Sequence, residues 1–129
     1  RPVTARTSLI DVVPTVLDLA GVKKGGPTWL AMDPRGESLI SLFVGRKAAP
    51  RSIFAELPKS KSAPMQLAWL EGATKLYFDG GENRWRVFDV SRDPDEQSDL
   101  SQARPELAQR LRTAMNRFRS TLLMRPAKR

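Results

Sequence analysis

Apolar and polar positions alternate in the middle of this chain. The runs Ser52 to Leu57, Met65 to Leu70, Thr74 to Phe78 and Trp85 to Val90 are short, rich in aromatic and aliphatic residues, and carry the two-residue period of half-buried β-strands. Glu71-Gly72, a tight hairpin signal, separates the second run from the third, and Asp79-Gly80-Gly81-Glu82-Asn83 separates the third from the fourth. Strands joined by such short turns predict an antiparallel meander. Leu67, Trp69, Leu76, Phe78, Trp85 and Val87 fall on one of its faces.

Further on the period changes. From Pro105, Leu107, Leu111, Ala114, Met115, Phe118 and Leu122 recur at spacings of three and four, which places them on one stripe of a helix. Pro105 suits the first helical position and Glu106 complements the positive end of the dipole. The stripe is the cover the sheet needs. Arg110 and Arg117 border it on one side, Arg112 and Arg119 on the other, so their stems line the edge of a buried face while the guanidinium groups stay in water. Met124 to Arg129 reads as a frayed tail.

The first fifty residues have no such regularity. Ser8 to Gly21 is apolar except at Asp11, Thr15 and Asp18. Pro14 lacks an N–H and cannot sit deep in a helix. Asp11 as N-cap, accepting from the Val13 N–H, resolves this by placing Pro14 in the first turn, and Gly21 then serves as a left-handed C-cap. The predicted helix, Val12 to Ala20, is apolar on more than one side and calls for burial from several directions. Lys23 to Glu37 reads as loop, Ser38 to Val44 as a helical turn or two, and Gly45 to Pro50 as a second loop. The expected class is α+β: a four-stranded antiparallel sheet packed against a C-terminal amphipathic helix, preceded by a short helix. Residues 1–50 form one part and 51–129 the other.

Composition removes several functions. The 129 residues include no Cys and no His, which excludes a disulfide framework, a thiolate zinc site, a Cys nucleophile and the commonest general base. No stretch approaches the ~20 apolar residues of a membrane span. The net charge of +8 is concentrated: from Arg104 onward eight basic residues face a single acid, Glu106. A chain that begins at Arg1 rather than Met reads as a processed protein or a piece of something longer.

Two motifs bracket the layout. The segment Ser8 to Gly21 contains Asp11, Pro14, Thr15 and Gly21 in the spacing D-x-x-P-T-x-x-x-x-x-G, and is similar to a segment near the end of the catalytic domain of sulfatases. Asp93-Pro94-Asp95-Glu96-Gln97-Ser98-Asp99-Leu100 resembles their D-P-x-E-x-x-N-L segment. Between them Gly36-Glu37-Ser38-Leu39 matches G-x-S-L, Ile53-Phe54-Ala55-Glu56 a strand ending in Glu, and Thr74-Lys75-Leu76-Tyr77 a strand bearing Lys. Asp99 departs from the usual Asn, and Arg86-Val87-Phe88-Asp89-Val90 from the usual E-L-Y-D-L. The resemblance runs from about residue 3 to 123 and covers the last quarter of a sulfatase: the final helix of the α/β core, then a small subdomain of antiparallel strands and one helix.

That resemblance implies a parent hydrolase that cleaves sulfate esters, using a formylglycine nucleophile made from Cys or Ser in C/S-x-P-x-R and a divalent ion such as calcium. Those positions lie upstream of the matching segment and have no counterpart here. Related phosphonate monoester hydrolases and phosphodiesterases share the architecture, so sulfate and phosphate esters are not separated. The implied partner is the rest of the catalytic domain, with sulfated substrate in reach, and the implied location is periplasmic or extracellular.

Within this chain, Ser62-Ala63-Pro64-Met65-Gln66 carries Ser and Pro at the nucleophile spacing but Gln66 where Arg is required. Asp89, Asp93, Asp95, Glu96 and Asp99 are clustered without the alternating loop of a calcium site, and read as turn-forming, solvated acids. Asp93 before Pro94 favours a turn, with its carboxylate bonding donors two residues on, and Glu96 sits where it can cap or pair locally. Lys59 and Lys61, in the Pro58 to Pro64 loop, are the candidate substrate contacts, since this region borders the active-site mouth in sulfatases. Two readings follow. The first is a structural, cleft-shaping sulfatase portion that is inactive alone. The second is a stand-alone basic module binding sulfated glycan or another polyanion. Nucleic acid is disfavoured, because Trp69, Phe78 and Trp85 fall on the core face and leave no stacking platform. A homodimer through residues 12–20 is the other route to covering that apolar helix.

Overall fold

A computed structural model describes residues 5–32, 35–47 and 49–123. The expected tail, Met124 to Arg129, lies outside them. The chain divides into two compact units, one ending at Arg51 and one beginning at Ser52.

The second unit holds the hydrophobic core. Strands β1 (Ile53–Leu57), β2 (Gln66–Glu71), β3 (Thr74–Asp79) and β4 (Arg84–Asp89) form an antiparallel sheet in sequential order. The register sets Leu67 against Phe78 and Trp69 against Leu76, then Leu76 against Val87 and Phe78 against Trp85. The six side chains expected on one face are therefore direct cross-strand neighbours, the pairing that stabilises a sheet. Helix α4 (Pro105–Leu123) covers this face, and Leu111 and Met115 are buried with Leu67, Trp69, Leu76 and Val87. Phe118 of α4 meets Phe54 and Trp69 with ring centroids 5.8 and 5.4 Å apart. These distances fit tilted aromatic pairs.

The turns follow their residues. Glu71 pairs with Thr74, so Gly72 and Ala73 make a two-residue hairpin loop, with Gly72 at φ 54°. The β3–β4 connection runs close to the start of β2: the Gly80 N–H donates to the Met65 carbonyl at 2.9 Å, and a Cβ at Gly80 would run into that carbonyl. Only Gly fits there.

The first unit contains a 3-10 turn at Leu9–Asp11, then α1 (Val12–Leu19), α2 (Pro27–Met32) and α3 (Ile40–Phe43). Gly21 is left-handed, its N–H donates to Asp18 O, and the Val22 N–H donates to Leu17 O, the Schellman arrangement expected of a glycine after the helix. Two expectations are corrected. The stretch read as loop from Lys23 to Glu37 contains α2, because Pro27 is preset for a first helical position and Thr28 to Met32 include no further breaker. Asp11 is not an N-cap accepting from Val13. Its backbone is already helical, at φ −79° and ψ −15°, because the preceding 3-10 turn starts the helix three residues earlier with Ser8 as cap.

The burial of α1 also differs from expectation. Pro14 and Thr15 are buried, whereas Val12, Val13, Val16 and Leu19 are exposed. Among the described residues, none of the buried hydrophobic side chains that make up the core belongs to the first unit.

Candidate functional site

The motif residues find one another in the structure. In the first unit the centre is Asp11, whose side chain is fully buried. One oxygen accepts from the Ser8 N–H at 2.7 Å, the other from the Glu37 N–H at 3.0 Å, and both are taken by the Arg51 guanidinium, whose Nη1 lies 3.0 Å from Oδ1. Arg51 also donates through Nε to the Arg6 carbonyl. Burial alone pushes the Asp11 carboxyl up, but the Arg51 guanidinium and the Glu37 and Ser8 N–H groups outweigh it and leave the carboxyl below its usual value. Thr15 extends the clasp: its hydroxyl donates to Asp11 O at 2.6 Å and accepts the Leu39 N–H at 3.0 Å. Ser38 Oγ lies 2.5 Å from Asp18 Oδ2.

The D-x-x-P-T and G-x-S-L segments are thus two halves of one lock. Gly36 supplies the close approach, since a Cβ there would overlap the Ile10 carbonyl. Gly36→Ala should cost the first unit roughly 1–3 kcal/mol, the range for forced overpacking, read as faster amide exchange at Glu37 and Leu39. Unchanged exchange at both would show that the backbones are not in register here.

In the second unit, the Asp93–Leu100 segment is held in the same manner. Asp93 accepts the Gln97 N–H at 3.0 Å and the Ser98 N–H at 2.8 Å, so it caps donors four and five residues on rather than two. Glu96, left-handed at φ 56°, does not pair locally as expected. It reaches Lys75 of β3, with Nζ 2.6 and 2.7 Å from its two oxygens. The lysine-bearing strand motif and this turn are therefore ion-paired. Asp99 Oδ1 accepts from Val87 N at 3.1 Å and Ser101 N at 2.9 Å, while Oδ2 takes Arg84 at 2.9 Å. Burial raises the Asp99 carboxyl, and these donors more than offset it. Leu100 returns to the core, its N–H on the Val87 carbonyl at 2.8 Å.

This explains the departure from Asn. The backbone bonds need only one acceptor oxygen, which either residue supplies, and Arg84 gives the second oxygen of Asp99 a partner. Asp99→Asn should cost under about 1 kcal/mol, because the Arg84 pair is half-exposed, whereas Asp99→Ala should cost about 1–3 kcal/mol by stranding the Val87 N–H. Paired urea melts check this; equal losses for the two variants would contradict it.

The remaining candidates are not drawn together. Lys59 and Lys61 are exposed in the loop between β1 and β2. That loop is organised by Ser60, whose Oγ lies 3.3 Å from the Ser62 N–H and 3.1 Å from that of Ala63. Ser62 is exposed there and opens no helix, so its surroundings lack the strand-to-helix setting of an activated nucleophile. Asp89 has its carboxyl lowered chiefly by the Ser91 hydroxyl. Among the described residues no three His, Cys, Asp or Glu side chains converge so as to hold a metal ion. The arginines of α4 are largely committed to the sheet: Arg110 pairs with Glu71 at 2.6 Å, Arg119 with Glu56 at 2.7 Å, and Arg112 lies over the Trp85 ring.

Reading along the chain missed Arg51 and Lys75 as partners of Asp11 and Glu96. The members of each pair are 40 and 21 residues apart and carry no shared local pattern.

No family model matches the chain. Solved structures do. A protein from Bacteroides thetaiotaomicron whose sulfatase assignment is provisional aligns with TM-score 0.70 at 19% identity, over 86% of this chain and 24% of its own. A 2-O GAG sulfatase aligns with TM-score 0.68 at 19% identity, over 86% of this chain and 24% of its own. A third, solved with its substrate D-glucosamine-2-N,6-O-disulfate, gives TM-score 0.68 at 19% identity, over 85% and 23%. The chain spans about a quarter of the length of the solved structures it matches. The resemblance carried by the motifs and the likeness carried by the backbone thus agree: this chain has the fold of one portion, about a quarter, of a sulfatase.

Proposed function

We propose that this chain is the structural C-terminal portion of a sulfatase-like hydrolase, completing its core and shaping its substrate cleft. The observation that carries this reading is the use of the motif residues. Asp11, Thr15 and Gly36 lock one unit, Lys75, Glu96 and Asp99 the other, and each carboxylate is consumed by donors of this chain. Such residues hold architecture and leave no group free for bond cleavage. The chemistry then belongs to the parent, with a formylglycine nucleophile and a calcium-like divalent ion. Asp93, Glu96 and Asp99 do not fit that ion: Asp93 and Asp99 spend their oxygens on N–H groups and arginine, and Glu96 spends both of its own on Lys75.

Lys59 and Lys61 are the residues that would touch a sulfated substrate, as exposed cations in a loop organised by Ser60. Replacing both with Ala in the full-length enzyme should raise KM with little change in kcat; an unchanged KM would end that assignment. An exported location follows from the same reading.

The deciding experiment is to read the reading frame upstream of Arg1. Several hundred preceding codons with C/S-x-P-x-R and paired Asp ligands support the proposal. A start codon immediately upstream, or aryl-sulfate turnover by the 129-residue chain itself, overturns it. The basic-module alternative requires salt-sensitive retention on heparin. The engagement of Arg110 and Arg119 with the sheet weighs against it.

A further inference from the structure

The two units differ in where their apolar side chains point. In the second unit the large hydrophobics converge on a buried core. In the first, the described residues that are buried are polar or small: Asp11, Pro14 and Thr15. Leu9, Val12, Val16 and Leu19 recur at spacings of three and four and form one exposed row, with Leu9 at 88% and Leu19 at 68% exposure. Phe43 and Val44, at the end of the α3 turn that packs beside α1, are 68% and 67% exposed. The only charged side chain of α1, Asp18, is held by Ser38. Large apolar side chains left exposed in this number around a polar lock are the kind of patch that marks an interaction surface.

We infer that the row Leu9, Val12, Val16 and Leu19, with Phe43 and Val44, is the surface through which this chain docks onto the catalytic body of the parent. The inference rests on the proposed function and adds the surface to it. The occupant is argued from length: in the matched structures about three quarters of the chain lies outside the matched portion. An uncharged row selects an apolar polypeptide surface over a charged partner, and each Val or Leu covered there loses its contact with water.

The test uses Val16→Gln with Leu19→Gln, which leaves Asp11, Pro14 and Thr15 untouched, and Leu57→Gln of β1 as an exposed apolar control. In the full-length product, thermal unfolding should drop by several degrees for the pair and hardly at all for the control. In the 129-residue chain the pair should keep the wild-type circular dichroism and reduce binding of a hydrophobic dye. An unchanged melting temperature in a full-length product that cleaves sulfate esters would overturn the docking surface and leave the functional reading standing. A lowered melting temperature in a product without that activity would do the reverse. A defined dimer of the isolated wild-type chain that the substitutions dissolve would make a second copy the occupant and overturn the inference. So would a start codon just before Arg1.

Discussion

Asp11→Ala should unfold the first unit while leaving the sheet and α4 intact. The substitution removes the acceptor of two backbone N–H groups and the partner of Arg51 in one step, at a position with no solvent access. Breaking a buried pair by deleting one member costs roughly 3–5 kcal/mol. Arg51 retains partial solvent contact, so the lower end of that range applies. Hydrogen exchange should show the amides of Asp11, Glu37 and Leu39 losing protection together while Leu76 and Val87 keep theirs. Uniform loss of protection across both units would refute a lock confined to the first. Asp11→Asn offers a graded comparison, keeping an acceptor but discarding the charge opposite Arg51.

The same group sets an acid limit. Asp11 is held below its usual value in the folded chain, so its contribution is fully present above the unfolded carboxyl value of 3.8 and is lost as pH falls through the lower folded value. Asp99 shifts in the same direction and acts in the same window. Stability should therefore decline below about pH 4, and the decline should be shallower in Asp11→Asn. An identical acid profile for variant and wild type would remove Asp11 from the explanation.

The second large effect belongs to Leu76. It lies in the middle of β3, fully buried, between Trp69 and Val87 on the neighbouring strands and beneath Leu111 and Met115. Leu76→Ala should cost about 2–5 kcal/mol, since a site walled by strands on both sides and a helix above collapses poorly around the lost atoms. Leu57→Ala, on the exposed part of β1, should cost far less. A urea midpoint for Leu76→Ala close to that of Leu57→Ala would mean that the sheet face is not the core.

The architecture of the second unit was legible because its signals are local and redundant. Alternation assigned Leu67, Trp69, Leu76, Phe78, Trp85 and Val87 to one face, and the strands formed within a residue of the expected limits. The helix stripe was legible for the same reason, and so was the border of arginines, of which Arg119 and Arg110 pair with Glu56 and Glu71. Legibility failed where a residue's role depends on a distant partner. Asp11 looks like a cap in isolation, and Glu96 like a local pair. Arg51 and Lys75 change both assignments, because a carboxylate taken out of water goes to the strongest donor that folding brings near.

The sulfatase resemblance came from short motifs whose spacing survives in the sequence, and the backbone carries the same likeness. Why those motifs go together is a tertiary matter: Gly36 must pass the Ile10 carbonyl for Glu37 and Leu39 to reach Asp11 and Thr15. By itself the sequence determined the α+β class, the order of the strands and the face that α4 covers, since hydrophobic periodicity records which side of each element avoids water. Only the tertiary structure decided that the motif carboxylates are locked by arginine, lysine and backbone N–H groups, and that α1 turns all three of its valines outward. Periodicity marks a side chain as apolar or polar, whereas pairing depends on which donors and surfaces the folded chain brings within a few ångströms.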